Sequence, residues 1–392
     1  MKRACLVRLG YFPREEHLRR NASALHEAGY QVDVICLREP GQPLVERYWG
    51  GIVVRLPLAH RRSGLLRHLW EHSAFCSLLG MVLPALWGAR GYSVLEFCTP
   101  PDYAVFAAWL PRLLGTRVVL YIFDLLPETL ACAYGLRPGS LPLRAAGWLE
   151  RASAALAQVV IVVDPDAVER VVSRGTPARE VVWLPNVPDD RAFRAPMGDA
   201  PAGAEGFLVM THGSILPRYG VDDLLRAAAE LRPLLPELRV WVIGDGEHRR
   251  AAQALAARLG LDGTVDFRGW LPYSQVAAAI SRAQVGVVPV HFNALPNKLF
   301  EYAWMGRAVV AAAQPAIRRV FGEAVLYYPP GDHRALADAI LRLYRDEALR
   351  RRLGEAARQV ALRHSWSRVR QQYVALHEDG PSLLGQAQGA EA

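Results

Sequence analysis

Short apolar segments alternate with helical segments along the chain, and this alternation constrains the fold more than any other feature. In residues 1–190, the β-branched runs "RACLVRL", "QVDVICL", "RVVLYIF" and "AQVVIVVD" are separated by amphipathic segments such as "REEHLRRNASALHEAGY". Continuous apolar strands between helices are typical of a parallel sheet that is covered on both faces. The predicted fold class is therefore α/β.

A second series of the same kind follows a stretch rich in proline and glycine, "FRAPMGDAPAGAEG" at 193–206. It contains the strands "FLVMTHG", "LRVWVIGDG", "VGVVPV" and "AVVAAA", with helices such as "GVDDLLRAAAELRPLL" between them. A chain of 392 residues is also too long for one ordinary core. We therefore predict two doubly wound domains, joined by this linker and facing each other across a cleft that binds ligands.

Charge and cysteine content narrow the classes of function. The net charge of +8 favours anionic partners. The basic residues are dispersed, however, and no nucleic-acid-binding motif accompanies them, so no nucleic-acid partner is predicted. The five cysteines are widely spaced without a CxxC pair, which argues against a disulfide framework or a zinc site and favours the cytoplasm. A strand begins within "MKRACLVRLGYF", so no signal peptide is predicted.

Residues 73–89, "SAFCSLLGMVLPALWGA", carry no charge. The segment is short for a membrane crossing and contains Pro84 and two glycines. Three interpretations stay open: a buried helix, a helix lying on the membrane surface, and a spanning helix. Apolar surface and positive charge in the first domain indicate a peripheral contact with the inner face of the membrane, and a glycan or lipid-linked acceptor.

Lysine usage singles out one position in the second half. Lys2 and Lys298 are the two lysines among 46 basic residues. Lys298 opens a predicted helix after the loop "HFNALP", and Glu301 follows three residues later on the same face. The cation can hold a diphosphate, and the carboxylate can accept two hydrogen bonds from a ribose diol. The alternatives are an exposed ion pair and coding drift, but retention of a lysine favours a site that requires a compact ammonium group.

Two glycine turns follow strands of the second series. Gly213, in "THGSILPRYGVDDLL", permits a tight turn before a helix, and Arg218 can add a forked contact to phosphate. Gly244 and Gly246, in "VIGDGEHRR", let the backbone approach a ligand closely. The second turn lacks the third glycine and the ribose-binding acid of the dinucleotide fingerprint, which argues against NAD.

Five segments of the second half resemble, in order, the donor-binding domain of family 4 retaining glycosyltransferases with the GT-B fold. They are "GSILPRYGVDDLLRAAAEL", "VIGDGEHRRAAQAL", "VDFRGWLP", "AQVGVVP" and "LPNKLFEYAWMGRAVVAA". The first half adds "LHEAGYQVDVICL", "YIFDLLPETL" and "VVWLPNVPD", and "HSWSRVRQQY" is similar to the family's final helix, which returns to the first domain. The resemblance covers roughly residues 1–377.

The resemblance implies a domain plan and a reaction. Residues 1–190 would form an acceptor-binding domain and 191–365 a nucleotide-sugar-binding domain, both Rossmann-like. Residues 366–380 would form the returning helix, and 381–392 a disordered tail. The implied reaction is the retaining transfer of a sugar from a UDP- or GDP-sugar to an acceptor hydroxyl, without a metal or a permanently bound cofactor. Cell-surface or exopolysaccharide glycan synthesis is the implied setting.

The resemblance also implies roles for individual residues. Lys298 and Arg218 would hold the donor diphosphate, and Glu301 would bind the ribose. The other residues of the donor site would be Gly213, Gly244, Gly246, Arg268, Trp270, Asn293, Leu295, Pro296 and Asn297. Asp124 and Glu128 would project from the first domain towards the acceptor. Capping of a helix is the alternative role for Asp124.

The sequence departs from the family pattern in three places. The basic pair of the first motif is altered, since Ser214 follows the glycine and Tyr219 precedes Gly220, which leaves Arg218 as the nearby cation. Asn293 stands at the first position of the family's Glu-x7-Glu pair, which puts a sugar contact there in question. The N-terminal Gly-Gly loop is reduced to Gly10, and Arg14, Arg19 or Arg20 would have to compensate. Two alternative functions follow: a sugar-nucleotide epimerase or hydrolase on the same fold, and a catalytically degenerate homologue that binds a partner.

Overall fold

The computed structural model describes residues 2–59, 65–176, 181–191, 193 and 206–378, which form two compact units. The first unit contains the described residues of Met1–Pro185 and Val369–Ala392, and the second contains those of Asn186–Arg368. Apart from Phe193 and Gly206, the predicted linker at 193–206 lies outside the described residues. The predicted tail at 381–392 also lies outside them.

The first unit is built on an eight-stranded sheet with the strand order β3-β4-β2-β1-β5-β6-β7-β8. Its strands are β1 (Arg3–Tyr11), β2 (Gln31–Leu37), β3 (Val45–Tyr48), β4 (Gly51–Leu56), β5 (Val94–Cys98), β6 (Arg117–Ile122), β7 (Val159–Val162) and β8 (Val181–Trp183). All neighbouring strands pair in parallel except β3 and β4. This arrangement confirms the predicted α/β class.

The antiparallel β3–β4 hairpin was not predicted. Its turn is formed by Trp49 and Gly50, which both have positive φ angles of 45° and 77°. Two successive residues with positive φ match a type I′ turn, which joins antiparallel strands with the correct twist. Strand β3 is short and mostly exposed, so it lacks the apolar run that marks the buried strands.

Helices cover both faces of this sheet. They are α1 (Glu16–Glu27), α2 (Leu65–Arg90), α3 (Trp109–Leu113), α4 (Leu126–Tyr134), α5 (Leu141–Leu156) and α6 (Pro165–Ser173), with a 3₁₀ helix at Asp102–Ala108. In α2, Phe75, Leu79 and Leu83 recur every four residues and pack into the core. The opposite side of α2 exposes Trp70 and Met81. Within the described residues, α2 is the one helix whose length and composition would allow it to cross a membrane.

The second unit contains a six-stranded parallel sheet with the order β11-β10-β9-β12-β13-β14. Its strands are β9 (Phe207–His212), β10 (Leu238–Ile243), β11 (Val265–Gly269), β12 (Val285–Val288), β13 (Ala308–Ala312) and β14 (Leu326–Tyr328). Its helices begin with α7 (Val221–Leu231), α8 (Arg249–Arg258), α9 (Tyr273–Arg282), α10 (Asn297–Trp304) and α11 (Pro315–Phe321). They continue with α12 (His333–Arg345) and α13 (Glu347–Arg363). Helix α14 (Trp366–Leu376) begins in this unit and belongs to the first unit from Val369 onwards.

Helix α14 is attached to the sheet of the first unit by a buried polar group, which we call the Glu96 cluster: Glu96, Tyr373, His377 and Cys98. Glu96 Oε2 accepts hydrogen bonds from His377 Nε2 at 2.6 Å and from the Tyr373 hydroxyl at 2.7 Å. The Cys98 thiol donates to Glu96 Oε1 at 3.2 Å. Because buried polar groups require hydrogen-bond partners, these contacts fix the end of the chain on β5.

Candidate functional site

The candidate site lies where β9 and β10 end in the second unit, at two glycine turns that touch each other. Gly213 and Gly244 have φ angles of 113° and 134°, a conformation that side-chain-bearing residues rarely adopt. A Cβ atom at Gly244 would lie 1.9 Å from the carbonyl oxygen of Gly213, and one at Gly246 would lie 2.2 Å from that of Ile215. Only glycine therefore allows these two turns to pack together.

Lys298 lies directly against the first of these turns. It is the second residue of α10, and its side chain is nearly buried, with 9% of the residue exposed. A Cβ at Gly213 would be 3.6 Å from Lys298 Cε, an ordinary van der Waals distance, so the end of the lysine side chain lies close beside this turn. Lys298 Nζ lies 5.6 Å from the centre of the Tyr219 ring. Two elements that are distant in sequence thus enclose this ammonium group.

Burial disfavours the charged form of the Lys298 ammonium group. It lowers the pKa of Lys298 to about 8, and the carboxylate of Glu301 opposes the shift. Among the residues that the structure describes, no carboxylate forms an ion pair with Lys298 Nζ. A buried charge without an ionic partner costs free energy, which an anionic ligand would recover. Such a group is a strong candidate for ligand binding.

Glu301 lies one turn further along α10 and is held by a histidine that the sequence analysis did not single out. Its Oε2 atom accepts a hydrogen bond from Nε2 of His212, the last residue of β9. The other ring nitrogen, Nδ1, lies 2.8 Å from the Tyr302 hydroxyl. We call these three residues the Glu301 cluster. All three are buried, with exposures of 9% for His212, 7% for Glu301 and 0% for Tyr302.

Arg218 lies in a 3₁₀ helix after β9 and contacts the same aromatic ring as the lysine. Its guanidinium carbon is 5.4 Å from the Tyr219 ring centre and 5.6 Å from that of Phe292. The backbone N–H of His291 donates to the Arg218 carbonyl at 2.9 Å, which ties the loop before α10 to this segment. The structure thus brings Arg218 and Lys298 to the same aromatic ring, that of Tyr219.

The segment around Arg268 meets the second glycine turn through its backbone. Gly244 N–H donates to the carbonyl of Gly269 at 2.7 Å. The Arg268 guanidinium instead stacks on Trp241, with its central carbon 3.4 Å from the ring centre. Trp270 is 54% exposed. This segment therefore meets the glycine turn through its backbone, whereas the Arg268 side chain is already engaged by Trp241.

The loop before α10 has a structural contact at Asn293, where the family has glutamate. Asn293 Oδ1 accepts a hydrogen bond from the backbone N–H of Ala316, in the first turn of α11. Leu295 is buried, Pro296 precedes the first turn of α10, and Asn297 is exposed at its start. The amide of Asn293 thus holds the loop against α11.

In the first unit, Asp124 and Glu128 follow β6. Asp124 is exposed, and the N-cap position of α4 belongs to Leu125, which forms no side-chain cap. Glu128 forms an ion pair with Arg174, which also contacts Glu150 at 2.9 Å. The carboxylate of Glu128 is therefore already compensated inside this unit.

Two family models together match most of the chain. The description "Glycosyl transferase 4-like domain" matches residues 15–187, and "Glycosyl transferases group 1" matches residues 200–360. The chain belongs to the family 4 type of GT-B glycosyltransferases. The predicted family is thereby confirmed.

Known relatives of this glycosyltransferase agree with that assignment. The lipopolysaccharide core biosynthesis glycosyltransferase LpsE of Rhizobium meliloti (strain 1021) is 31% identical over 188 residues, which are 47% of this chain and 50% of LpsE. The chain spans about half of this relative's length. Sucrose-phosphate synthase from Thermosynechococcus elongatus has a TM-score of 0.79 at 22% identity, covering 95% of this chain and 97% of that one.

A second solved structure is Anabaena HepE in complex with UDP-glucose. It has a TM-score of 0.71 at 15% identity and covers 95% of this chain and 98% of its own. These structural likenesses confirm the predicted GT-B fold.

His212 and Asp102 are among the buried titratable residues of the glycosyltransferase that the sequence analysis did not single out. A polar residue that ends a buried strand just before Gly213 could have marked His212. Asp102 is 1% exposed beside the end of β5. Burial raises the pKa of Asp102 to about 8, and the carboxylates of Glu150 and Asp124 act in the same direction.

Proposed function

We propose that this glycosyltransferase moves a sugar from a nucleotide-diphosphate sugar to an acceptor hydroxyl, with retention of anomeric configuration. The observation that carries the proposal is the buried ammonium group of Lys298, which lacks an ion-pair partner among the described residues. It lies at the start of a helix and beside the Gly213 turn, where backbone N–H groups also favour phosphate.

The chemistry required of this site is stabilisation of a leaving group. The bond between the anomeric carbon and a diphosphate oxygen breaks, and the acceptor oxygen forms a bond to the same carbon while losing its proton. Negative charge grows on the diphosphate, and preorganised cations are worth most where charge develops. Lys298 and Arg218 supply these cations. The reaction is therefore proposed to be metal-independent.

The donor is proposed to be a UDP- or GDP-sugar, and the ribose is assigned to Glu301. The crystallised complex of HepE with UDP-glucose, a protein of the same fold, makes UDP-glucose the first donor to test. The acceptor is proposed to be a cell-surface or exopolysaccharide glycan, as the name of LpsE suggests. Asp124 in the first unit is the proposed residue for orienting the acceptor hydroxyl.

The decisive experiment compares Lys298→Ala and Lys298→Arg with wild type in a transfer assay using UDP- and GDP-sugars. Lys298→Ala should lose at least about 10²-fold in kcat/KM, because a preorganised charge on the leaving group is gone. Lys298→Arg keeps the charge but changes its shape, so it separates the need for charge from the need for a compact group. Wild-type kinetics in Lys298→Ala would refute the assignment.

The same assay separates the alternatives. Release of free sugar or of an epimerised sugar nucleotide without an acceptor would favour the hydrolase or epimerase. Thermal stabilisation by a nucleotide without turnover on any acceptor would favour the degenerate homologue.

We also propose that the first unit makes a peripheral contact with the inner face of the membrane. Helices α2, α3 and α5 expose large apolar side chains, namely Leu69, Trp70, Met81, Trp109, Leu113, Leu141 and Trp148. Helix α5 also exposes Arg144 and Arg151, whereas its one acidic residue, Glu150, is fully buried. Apolar side chains flanked by arginine complement an anionic lipid surface.

Vesicle sedimentation tests this contact. Wild type should bind phosphatidylglycerol vesicles more tightly than phosphatidylcholine vesicles, and the double variant Leu113→Ser/Trp148→Ser should lose most of that binding. Leu234→Ser, at a residue of the second unit that is 57% exposed, is the matched control and should bind as wild type does. Equal binding to both lipids, or no loss in the double variant, would exclude the proposed surface.

A further inference from the structure

The contact between His212 and Glu301 bears on why Lys298 has no ionic partner. Lys298 and Glu301 are three residues apart on α10, a spacing at which opposite charges normally pair. Both residues are nearly buried, which would strengthen such a pair. The carboxylate instead uses Oε2 to accept a hydrogen bond from His212 Nε2. The Glu301 carboxylate therefore pairs with His212 and not with Lys298.

A direct pair between Lys298 and Glu301 would be harmful to the proposed reaction. It would neutralise the cation meant for the diphosphate and occupy the carboxylate meant for the ribose. Any group that holds the carboxylate away from the ammonium therefore preserves both binding functions.

The neighbourhood of His212 keeps its ring in place. Nδ1 lies 2.8 Å from the Tyr302 hydroxyl, and the two rings meet edge to face with their centres 5.0 Å apart. Tyr302 is itself immobilised, because it is fully buried against the strand at Gly286. A Cβ at Gly286 would be only 2.4 Å from the tyrosine ring. Both ring nitrogens of His212 are thus engaged, and rotation of the imidazole would break both contacts.

We propose that His212 is a positioning residue that binds Glu301 and keeps it from pairing with Lys298, so that the ammonium is available to the donor diphosphate. The inference rests on the proposed function, because it assigns diphosphate to Lys298 and ribose to Glu301. It makes His212 part of the donor site although it touches neither diphosphate nor ribose. The hydrogen bond uses Oε2 of Glu301, and the inference assigns the second oxygen, Oε1, to the ribose diol.

The test measures inorganic pyrophosphate binding by calorimetry, with UDP and GDP as further probes. His212→Ala should weaken pyrophosphate binding about tenfold, since the released carboxylate pairs with Lys298. Adding Glu301→Gln should restore the affinity to within about twofold of the Glu301→Gln single variant, because no carboxylate remains to capture the lysine. A purely structural role for His212 predicts no such recovery. The conservative variant His212→Gln, which keeps an N–H donor, should bind nearly as wild type does.

The outcomes separate this inference from the proposed function. Wild type that binds neither pyrophosphate, UDP nor GDP would overturn both. Binding that is lost in Lys298→Ala but unchanged in His212→Ala would overturn the role of His212 alone. Weak binding in His212→Ala that persists in the double variant would do the same. If His212→Ala does not fold, His212→Leu against His212→Gln decides the matter, because only the leucine variant loses the donor to Glu301 and should weaken pyrophosphate binding.

Discussion

The two units each contain a buried glutamate, histidine and tyrosine in contact, and the two groups are built differently. In the Glu96 cluster, histidine and tyrosine both donate to the carboxylate, and a thiol donates to its second oxygen. Burial alone raises the pKa of Glu96, but the hydrogen bonds and the charge of His377 outweigh it and hold the pKa below its usual range. Both oxygens are used within the unit, so this cluster serves to fix α14.

In the Glu301 cluster, the tyrosine hydroxyl meets the histidine, and the histidine hydrogen bond engages only Oε2 of the carboxylate. A buried ammonium group lies beside it. The comparison teaches that the same three side chains stabilise the fold when all their contacts are internal. Under the proposed function, they prepare a binding site when part of their hydrogen-bonding capacity is left for a ligand.

The largest expected effect is on stability at the Glu96 cluster. Glu96→Ala should lower the free energy of unfolding by about 3–5 kcal/mol, because it leaves a buried histidine and tyrosine without their acceptor. Urea denaturation measures the change. Glu355→Ala, at a side chain that is 57% exposed, is the control and should change stability by less than about 0.5 kcal/mol. A similar loss in both variants would remove the distinction between the two clusters.

The second prediction is a gain in stability, whereas Glu96→Ala is expected to lose stability. Lys298→Met should raise the free energy of unfolding by up to about 3 kcal/mol at pH 7, because it removes a buried charge while it abolishes activity. The unfolded chain binds the Lys298 proton more tightly than the folded chain, whose pKa is about 8. Wild-type stability therefore rises between pH 8 and the ordinary lysine pKa, and the advantage of Lys298→Met shrinks over that range.

Thermal unfolding of the two proteins at pH 7 and pH 10 checks this prediction. A destabilised Lys298→Met would mean that the lysine serves the fold, as the Glu96 cluster does.

The smallest expected effect concerns ligand binding and pH. Pyrophosphate favours the protonated form of Lys298, so its affinity should be constant below pH 8 and fall by about tenfold per pH unit above it. Calorimetric titrations between pH 6 and pH 10 measure this. Lys298→Arg supplies the control, since arginine stays charged throughout and any binding that remains should show no fall in this range. An equal fall in both proteins would place the titrating group elsewhere.

The parts of the molecule that follow from local patterns could be predicted from the sequence. Apolar β-branched runs mark both parallel sheets, and the pattern around Lys298 predicted that it shares one helix, α10, with Glu301. Contacts between distant residues could not be predicted in this way. His212 and Glu301 are 89 residues apart and meet only because β9 and β12 are neighbours in the sheet.

Contacts between distant residues also explain why the sequence did not reveal the partners of Glu128 and Arg268. Glu128 is compensated by Arg174, which lies 46 residues away. The Arg268 side chain is engaged by Trp241 on the neighbouring strand β10. In each case the sequence showed a charged residue at a suitable position, but the partner depends on strand order.

The attachment of α14 has a consequence for biosynthesis. The second unit, Asn186–Arg368, is complete once residue 368 has left the ribosome, whereas the first unit lacks Tyr373 and His377 until the segment after residue 368 has also been synthesised. Until then Glu96 has neither of these hydrogen-bond donors, and the sheet that is synthesised first cannot reach its final stability. A fragment ending at Pro185 would also lack these two donors to Glu96. A circular permutant that places 369–378 ahead of residue 2 would instead let this unit mature in one continuous stretch of synthesis.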